Sequence, residues 1–369
     1  MAPPLPTELE EEILLRFPPH EPELLVRASL VCKRWRRLVS APAFRRRLRD
    51  LHRAPPMLGF LCNIAEDPEG SVAAFVSTGT FRPPGAGLGH RLPIDARHGR
   101  VLLHYYCPES SVGVLVVWGP ATGDELELPL PDMHQCAYSW TAAVLCASRA
   151  PCGHLDCHRG GPFLVVFVGS GARKAFICTY SSDAATWTNP IDTETELPLD
   201  FVNLMPSVLV GNTLYFAFPV RKTLLKYDLE SQEMSLIGVP SAVYMYRPVV
   251  LDSGLALATV HESKLCIWRK AAGSEQDAGW TQSRAIELET LLPSDAFLTS
   301  RPDVVGFAAG LDVIFLRARL MLFTIDLKTC EVKKVCEGRN IYSAIPYVSF
   351  HTPGTVLLEL QFYNIQYEQ

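Results

Sequence analysis

The sequence predicts an α+β chain of two unequal domains, a small N-terminal helical module over residues 1–54 and a large all-β domain over residues 55–369. Three observations carry this. Apolar residues recur at helical spacing only in the N-terminal module, and beyond it short apolar runs alternate with Gly, Pro, Asp, Ser and Thr clusters. Across the larger domain a strand–turn–strand unit returns at roughly 40 to 60 residues, the period of propeller blades. At 369 residues, the chain is long enough for two cores.

Taking the elements in order, Thr7 with Glu10 has the spacing of a capping box, so a helix is expected to start there. Leu9, Ile13 and Leu14 line one side of it, Glu8, Glu11 and Glu12 the other, and Pro18-Pro19 ends it. A second helix is expected after Pro22, a well-placed first-turn proline, with Leu24, Leu25 and Ala28 inward. Val31, Cys32, Trp35, Leu38 and Val39 form the stripe of a third, whose other positions hold Lys33, Arg34, Arg36 and Arg37. Ser40 is the expected cap of a fourth, carrying Phe44, Leu48 and Leu51 and stopped by Pro55-Pro56.

After a linker from Arg53 to Pro56, candidate strands are Met57 to Cys62, Arg100 to Tyr105, Gly113 to Trp118, Phe163 to Val168, Thr213 to Phe218, Leu265 to Trp268, Val313 to Leu316 and Met321 to Ile325. The repeating unit is anchored on Trp118, Tyr180, Tyr227, Trp268 and Ile325, as in LLKYDLESQEMSLIGVP and LFTIDLKTCEVKKV. Its spacing implies a β-propeller of roughly six to seven blades, with a large β-sandwich as the alternative. In the last unit Phe323, Ile325 and Leu327 should face one way, Thr324 and Asp326 the other.

Leu5-Pro6, Leu9, Ile13-Leu14-Leu15-Arg16-Phe17-Pro18, Leu24, Val31-Cys32-Lys33, Trp35-Arg36, Leu38 and Pro42-Phe44 resemble the F-box pattern, with Phe17 where Leu is more usual. The resemblance implies a three-helix fold whose apolar edge binds a Skp-family adaptor and, through it, a cullin. By match to the motif, Leu5, Pro6, Leu9, Ile13, Leu14, Phe17, Pro18, Val31, Cys32 and Trp35 would form or support that contact. So small a module buries little area and leaves apolar surface needing a partner. The β region is similar to the associated domain of plant F-box proteins at Ile94 to Leu102, Leu209 to Tyr215 and Phe323 to Leu327.

The net charge of −5 implies no polyanion- or membrane-binding field. The arginines from Lys33 to Arg53 could grip phosphates, but no base-reading set accompanies them, so nucleic acid is not an expected partner. No basic n-region precedes an apolar stretch and no run is long enough to span a membrane, so a cytoplasmic or nuclear protein with reduced cysteines is expected. Phosphate-loop, GxSxG and HExxH motifs are absent from the sequence. Asp192, Glu194 and Glu196 read as a solvated loop, His104, His261 and His351 stand singly, and no catalytic residue or cofactor is nominated. Cys146, Cys152, His154, Cys157 and His158 crowd together, yet their intervals fit no paired-knuckle zinc pattern, and an interblade loop with solvent-facing histidines is expected instead.

The expected function is a non-catalytic subunit of an SCF-type ubiquitin ligase. The F-box would fix the chain to the adaptor and the β domain would hold an unidentified protein target. The alternatives are a propeller enzyme or small-ligand binder, an F-box scaffold acting outside a ligase, and a helical cap that merely covers the larger domain.

Overall fold

The structure is a computed structural model that describes residues 5–66, 70–107, 112–148, 154, 157, 160–194, 196, 201–271, 279–298, 301–337 and 340–353. Its N-terminal helices are α1 (Thr7–Leu15), α2 (Pro22–Val31), α3 (Lys33–Ser40) and α4 (Pro42–His52). They enclose Leu14, Leu15, Leu25, Ala28, Val39, Phe44 and Leu48, and Phe350, from beyond the last strand, packs against the same cluster. Among the described residues no helix is long and apolar enough to cross a membrane.

Three helix boundaries differ from the sequence reading. Pro6, not Thr7, is the N-cap of α1, because Arg34 reaches over from α3, donating to Thr7 Oγ1 at 2.6 Å and pairing with Glu10 at 3.0 Å. A charge-assisted pair outweighs the reciprocal cap. The stripe from Val31 to Val39 is broken at Cys32, whose extended backbone (φ −157°, ψ 161°) separates α2 from α3 and whose thiol accepts from the Trp35 N–H at 3.4 Å. The break turns Val39 into the core while Val31 stays outside. Ser40 ends α3 instead of capping α4: Ala41 is the cap, Pro42 supplies the first turn, and the Ser40 hydroxyl donates to the Pro353 carbonyl at 3.3 Å. A fourth helix therefore joins the three that the resemblance implied.

The acidic first helix and the basic later ones pair with each other. Arg47 meets Glu11 at 2.7 Å and Glu12 at 3.4 Å, alongside the Arg34–Glu10 pair. Such partly exposed pairs contribute about 0–1 kcal/mol each, so they orient the helices more than they stabilise them.

The β domain comprises β1 (Met57–Glu66), β2 (Gly70–Ser77), β3 (Leu92–Arg97), β4 (Arg100–Cys107), β5 (Val112–Trp118), β6 (Glu125–Pro129), β7 (Ser139–Cys146) and β8 (Phe163–Ser170). It continues with β9 (Ala175–Ser181), β10 (Thr186–Trp187), β11 (Ile191–Asp192), β12 (Val208–Val210), β13 (Thr213–Phe218), β14 (Thr223–Asp228), β15 (Met234–Gly238) and β16 (Arg247–Leu251). The last are β17 (Gly254–His261), β18 (Lys264–Lys270), β19 (Trp280–Glu287), β20 (Asp303–Ala308), β21 (Val313–Ala318), β22 (Met321–Asp326), β23 (Val332–Glu337) and β24 (Ile341–Val348). They form six antiparallel sheets, the blades of a β-propeller. Five run in chain order from the axis outward, β3–β6, β7–β11, β12–β15, β16–β19 and β20–β23. The sixth has the order β2-β1-β24, so strands from both ends of the domain close the ring, with Cys62 opposite Ala344 and Leu61 opposite Ile345.

Between blades the sheets bury continuous apolar layers. Phe323, Ile325 and Leu327 pack toward the β16–β19 blade, while Leu322 joins Phe60, Cys62 and Phe315 on the other side. Thr324 is nonetheless buried too, since the second and third strands of a blade are covered on both faces. Among the described residues, inner strands of neighbouring blades do not form a ladder with one another, and side chains reach backbone groups across the gap. The Asn63 amide donates to the Pro93 carbonyl at 2.8 Å, Asp95 accepts from the Val144 N–H at 2.9 Å, Arg247 donates to the Val304 carbonyl at 3.0 Å and Arg317 to the Ile341 carbonyl at 3.1 Å.

Candidate functional surfaces

Because every blade is antiparallel and runs outward from the axis, all inner strands point the same way. One end of the propeller is where they begin, the entry end, and the other is where they finish, the exit end. The helices join at the exit end, since β1 is the second strand of its blade and starts there. A six-residue strand spans about 20 Å, which sets the separation between the two ends.

At the exit end the helical module leaves apolar side chains outside. Leu9 is 52 % exposed, Ile13 46 % and Val31 67 %, and Leu5, Pro6 and Cys32 are exposed beside them. Arg34 also donates to the Leu5 carbonyl at 3.3 Å, which draws the start of α1 against the junction of α2 and α3 and makes one edge of these residues. Phe17, Pro18 and Trp35 are half-buried, and Leu14 is fully enclosed in the helical core. Leu14 is thus a support of the edge rather than a surface residue. Helical periodicity could not separate Ile13 from Leu14, because both lie within a turn of the same stripe.

At the entry end lies a set of residues that sequence reasoning did not single out. Tyr138, Phe201, Leu204, Val220, Tyr244, Met245, Leu298 and Leu320 are large, apolar and exposed. Each precedes an inner strand or sits in a second-to-third-strand turn, so all face the entry end. On the propeller, Leu126 is the other large apolar side chain left exposed among the described residues. Lys222 lies 3.5 Å from the Tyr244 ring centroid and donates to the Ser241 carbonyl at 2.6 Å, holding that ring at the rim.

Along the axis runs a cavity of about 330 Å³ bounded by inner strands. Arg97 and Arg247 line it, but each is engaged: Arg97 with the buried Asp95 carboxylate and the Ser207 carbonyl, Arg247 with the Val304 carbonyl. Burial pushes the Asp95 carboxyl above the ordinary range, against the opposing pull of Arg97 and the Val144 N–H. These polar groups join blades across the axis.

The cysteine–histidine cluster lies in the β7–β8 connection, inside one blade and not between blades as the sequence suggested. Cys146, His154 and Cys157 converge, with their ligand atoms all within 4.8 Å of one another, whereas Cys152 and His158 fall outside the described residues. His104 packs edge-on against Trp140, with ring centroids 4.8 Å apart, and Glu196 pairs with Arg173 at 3.4 Å.

Residues 94–353 match the family model described as F-box protein AT5G49610-like, beta-propeller, and residues 4–47 match the model of the F-box domain. No curated protein matches the chain. Solved structures similar to it include the extracellular domain of a one-component system from B. thetaiotaomicron, at 12 % identity and a TM-score of 0.36 over 77 % of this chain and 30 % of that one. A nidogen/laminin complex matches at 11 % identity and a TM-score of 0.43, over 79 % of this chain and 98 % of that one. The WD40 domain of SCAP from fission yeast matches at 15 % identity and a TM-score of 0.36, over 68 % of this chain and 52 % of that one. The chain thus spans under a third of the first of these and about half of the last.

Proposed function

The chain belongs to the F-box protein AT5G49610-like β-propeller family, and from that premise we propose that it is the substrate-recognition subunit of a cullin-based ubiquitin ligase in the cytosol or nucleus. The exposed helical edge of Leu5, Pro6, Leu9, Ile13, Val31 and Cys32 docks a Skp-family adaptor, while Leu14, Phe17, Pro18 and Trp35 hold it in shape. The apolar rim at the entry end receives a protein target. The observation that carries this reading is the separation of two exposed apolar surfaces at opposite ends of one ring. It suits a spacer that presents one protein to another. Catalysis would then rest on proximity, with target lysines concentrated near activated ubiquitin and no chemistry asked of this chain.

The test is co-purification of the full chain with a Skp-family adaptor. Wild type and a rim variant carrying Tyr244→Ser and Leu298→Ser should both bind, whereas Ile13→Asp with Val31→Asp should stay folded and lose the adaptor. A folded wild type that binds no Skp-family adaptor ends the ligase reading. A second reading, a small anionic ligand in the axial cavity, is favoured by the two guanidiniums there, and a volume near the low end of ligand sites, about 300 Å³, permits it. Against it stand the carbonyl and carboxylate partners those guanidiniums already have.

A further inference from the structure

The β7–β8 connection departs from the Asx turns that close other hairpins of this propeller, in which Asp228 and Asp326 accept from backbone N–H groups two and three residues on. Its described residues Cys157 and Gly161 are held instead by Arg100 of the neighbouring blade. That guanidinium is almost fully buried and donates to the carbonyls of Cys157 and Gly161. The Gly161 N–H returns to the Cys157 carbonyl at 3.0 Å, a turn so tight that a Cβ on Gly161 would stand 2.6 Å from that oxygen. Charge-assisted hydrogen bonds from a buried arginine hold the backbone at those two residues.

The pinned turn brings Cys157 and His154 back over Cys146, the last residue of β7. Cys157 Sγ lies 3.7 Å from His154 Nδ1. Zinc–sulfur bonds of about 2.3 Å and zinc–nitrogen bonds of about 2.0–2.1 Å place the ligand atoms of a tetrahedral site roughly 3.5–3.8 Å apart. One pair therefore stands at ligand spacing already, and with all three within 4.8 Å the largest closure required is about 1 Å. His98, in the β3–β4 turn, supports the arrangement from outside: its ring stacks on His154 with centroids 3.8 Å apart, and its Nδ1 accepts the Cys146 N–H at 3.1 Å.

We propose that Cys146, His154 and Cys157 bind a zinc ion at the exit end of the propeller, with the fourth position filled by solvent. Two thiolates and an imidazole are a borderline-soft set suited to zinc. On binding, each thiol releases its proton to solvent, and the two thiolates balance the charge of the ion. His98 is a positioning residue that orients His154.

The full chain, purified with reductant and stripped of loose ions, is the material for the test. Elemental analysis should find about one zinc per chain in wild type and in Cys136→Ser, whose exposed thiol lies elsewhere, and almost none in Cys146→Ser with Cys157→Ser. Should that double variant not fold, wild type stripped by chelator is reloaded with cobalt. Thiolate charge-transfer and tetrahedral ligand-field bands are expected from it, and His154→Ala should shift them. His98→Ala should keep the bands but weaken metal affinity about 10- to 100-fold, as the loss of a supporting contact does. The proposal falls if reduced, folded wild type neither retains zinc nor takes up cobalt. It also falls if the double cysteine variant keeps its zinc, or if Cys146 and Cys157 emerge joined in a disulfide.

Discussion

Replacing Gly306 by alanine tests how the ring closes. Gly306 lies in β20, where this inner strand passes β24, and a Cβ placed on it would stand 2.0 Å from the Ala344 carbonyl oxygen and 3.0 Å from its carbon. That carbonyl cannot swing aside, because Ala344 is held in register with Cys62 of β1 by the strand pairing that joins the two ends of the domain. Relief requires the last blade and the closing blade to separate by more than about 1 Å. Overpacking costs about 1–3 kcal/mol and occasionally more, and a backbone obstacle places this case near 3 kcal/mol. For a domain this large that is a fall in melting temperature of roughly 5 °C. Thermal melts of wild type, Gly306→Ala, Ala344→Gly and the double variant provide the assay. Because the obstacle is an oxygen of the main chain, removing the Ala344 side chain should recover little of the loss. A Gly306→Ala protein that melts with wild type, or one restored by Ala344→Gly, refutes this account of the closing seam.

Adjacent residues of α1 should behave in opposite ways: Leu14→Ala should destabilise the helical module by about 2–5 kcal/mol, read by denaturant unfolding, while Ile13→Asp should leave unfolding unchanged and abolish adaptor binding. Arg317→Met should cost roughly 1–3 kcal/mol in the same measurement, since the Ile341 carbonyl at 3.1 Å and Asp303 at 3.5 Å lose their donor. Backbone N–H groups of Thr329 and Lys328 hold the Asp326 carboxyl below its ordinary value of 3.8. Its contribution is therefore complete above about pH 4 and is lost as the pH falls through the depressed value, so the stability curves of wild type and Asp326→Ala should converge in acid. Curves that remain parallel to about pH 2 would remove that assignment.

The repeat was legible because its anchors share one structural place. Trp118, Tyr180, Tyr227, Trp268 and Ile325 all fall in third strands, β5, β9, β14, β18 and β22. The candidate strands lie in second and third strands, which neighbouring blades cover on both faces and which therefore read as unbroken apolar runs. Inner strands such as β12, three residues beside the axis, and outer strands such as β23, open to solvent, carry weaker signals. The closing blade left no repeat to find, since its strands lie at residues 57–77 and 341–348. In the helical module the motif residues were legible as a set, but Arg34 capturing Thr7 and Glu10 was not, because that competition arises only when α3 meets α1.

Periodicity and turn chemistry act between residues a few positions apart, so the sequence by itself determined an N-terminal helical module, an all-β remainder and the blade-length repeat. Tertiary structure alone decided the count of six blades, the outward face of Ile13 against the inward face of Leu14, and the gathering of the entry-end rim from single side chains on separate loops. It also decided which cysteines meet, bringing together Cys146 and Cys157 across a loop that an arginine from the next blade holds in place. These are products of ring closure, which sets side by side residues that no local pattern relates.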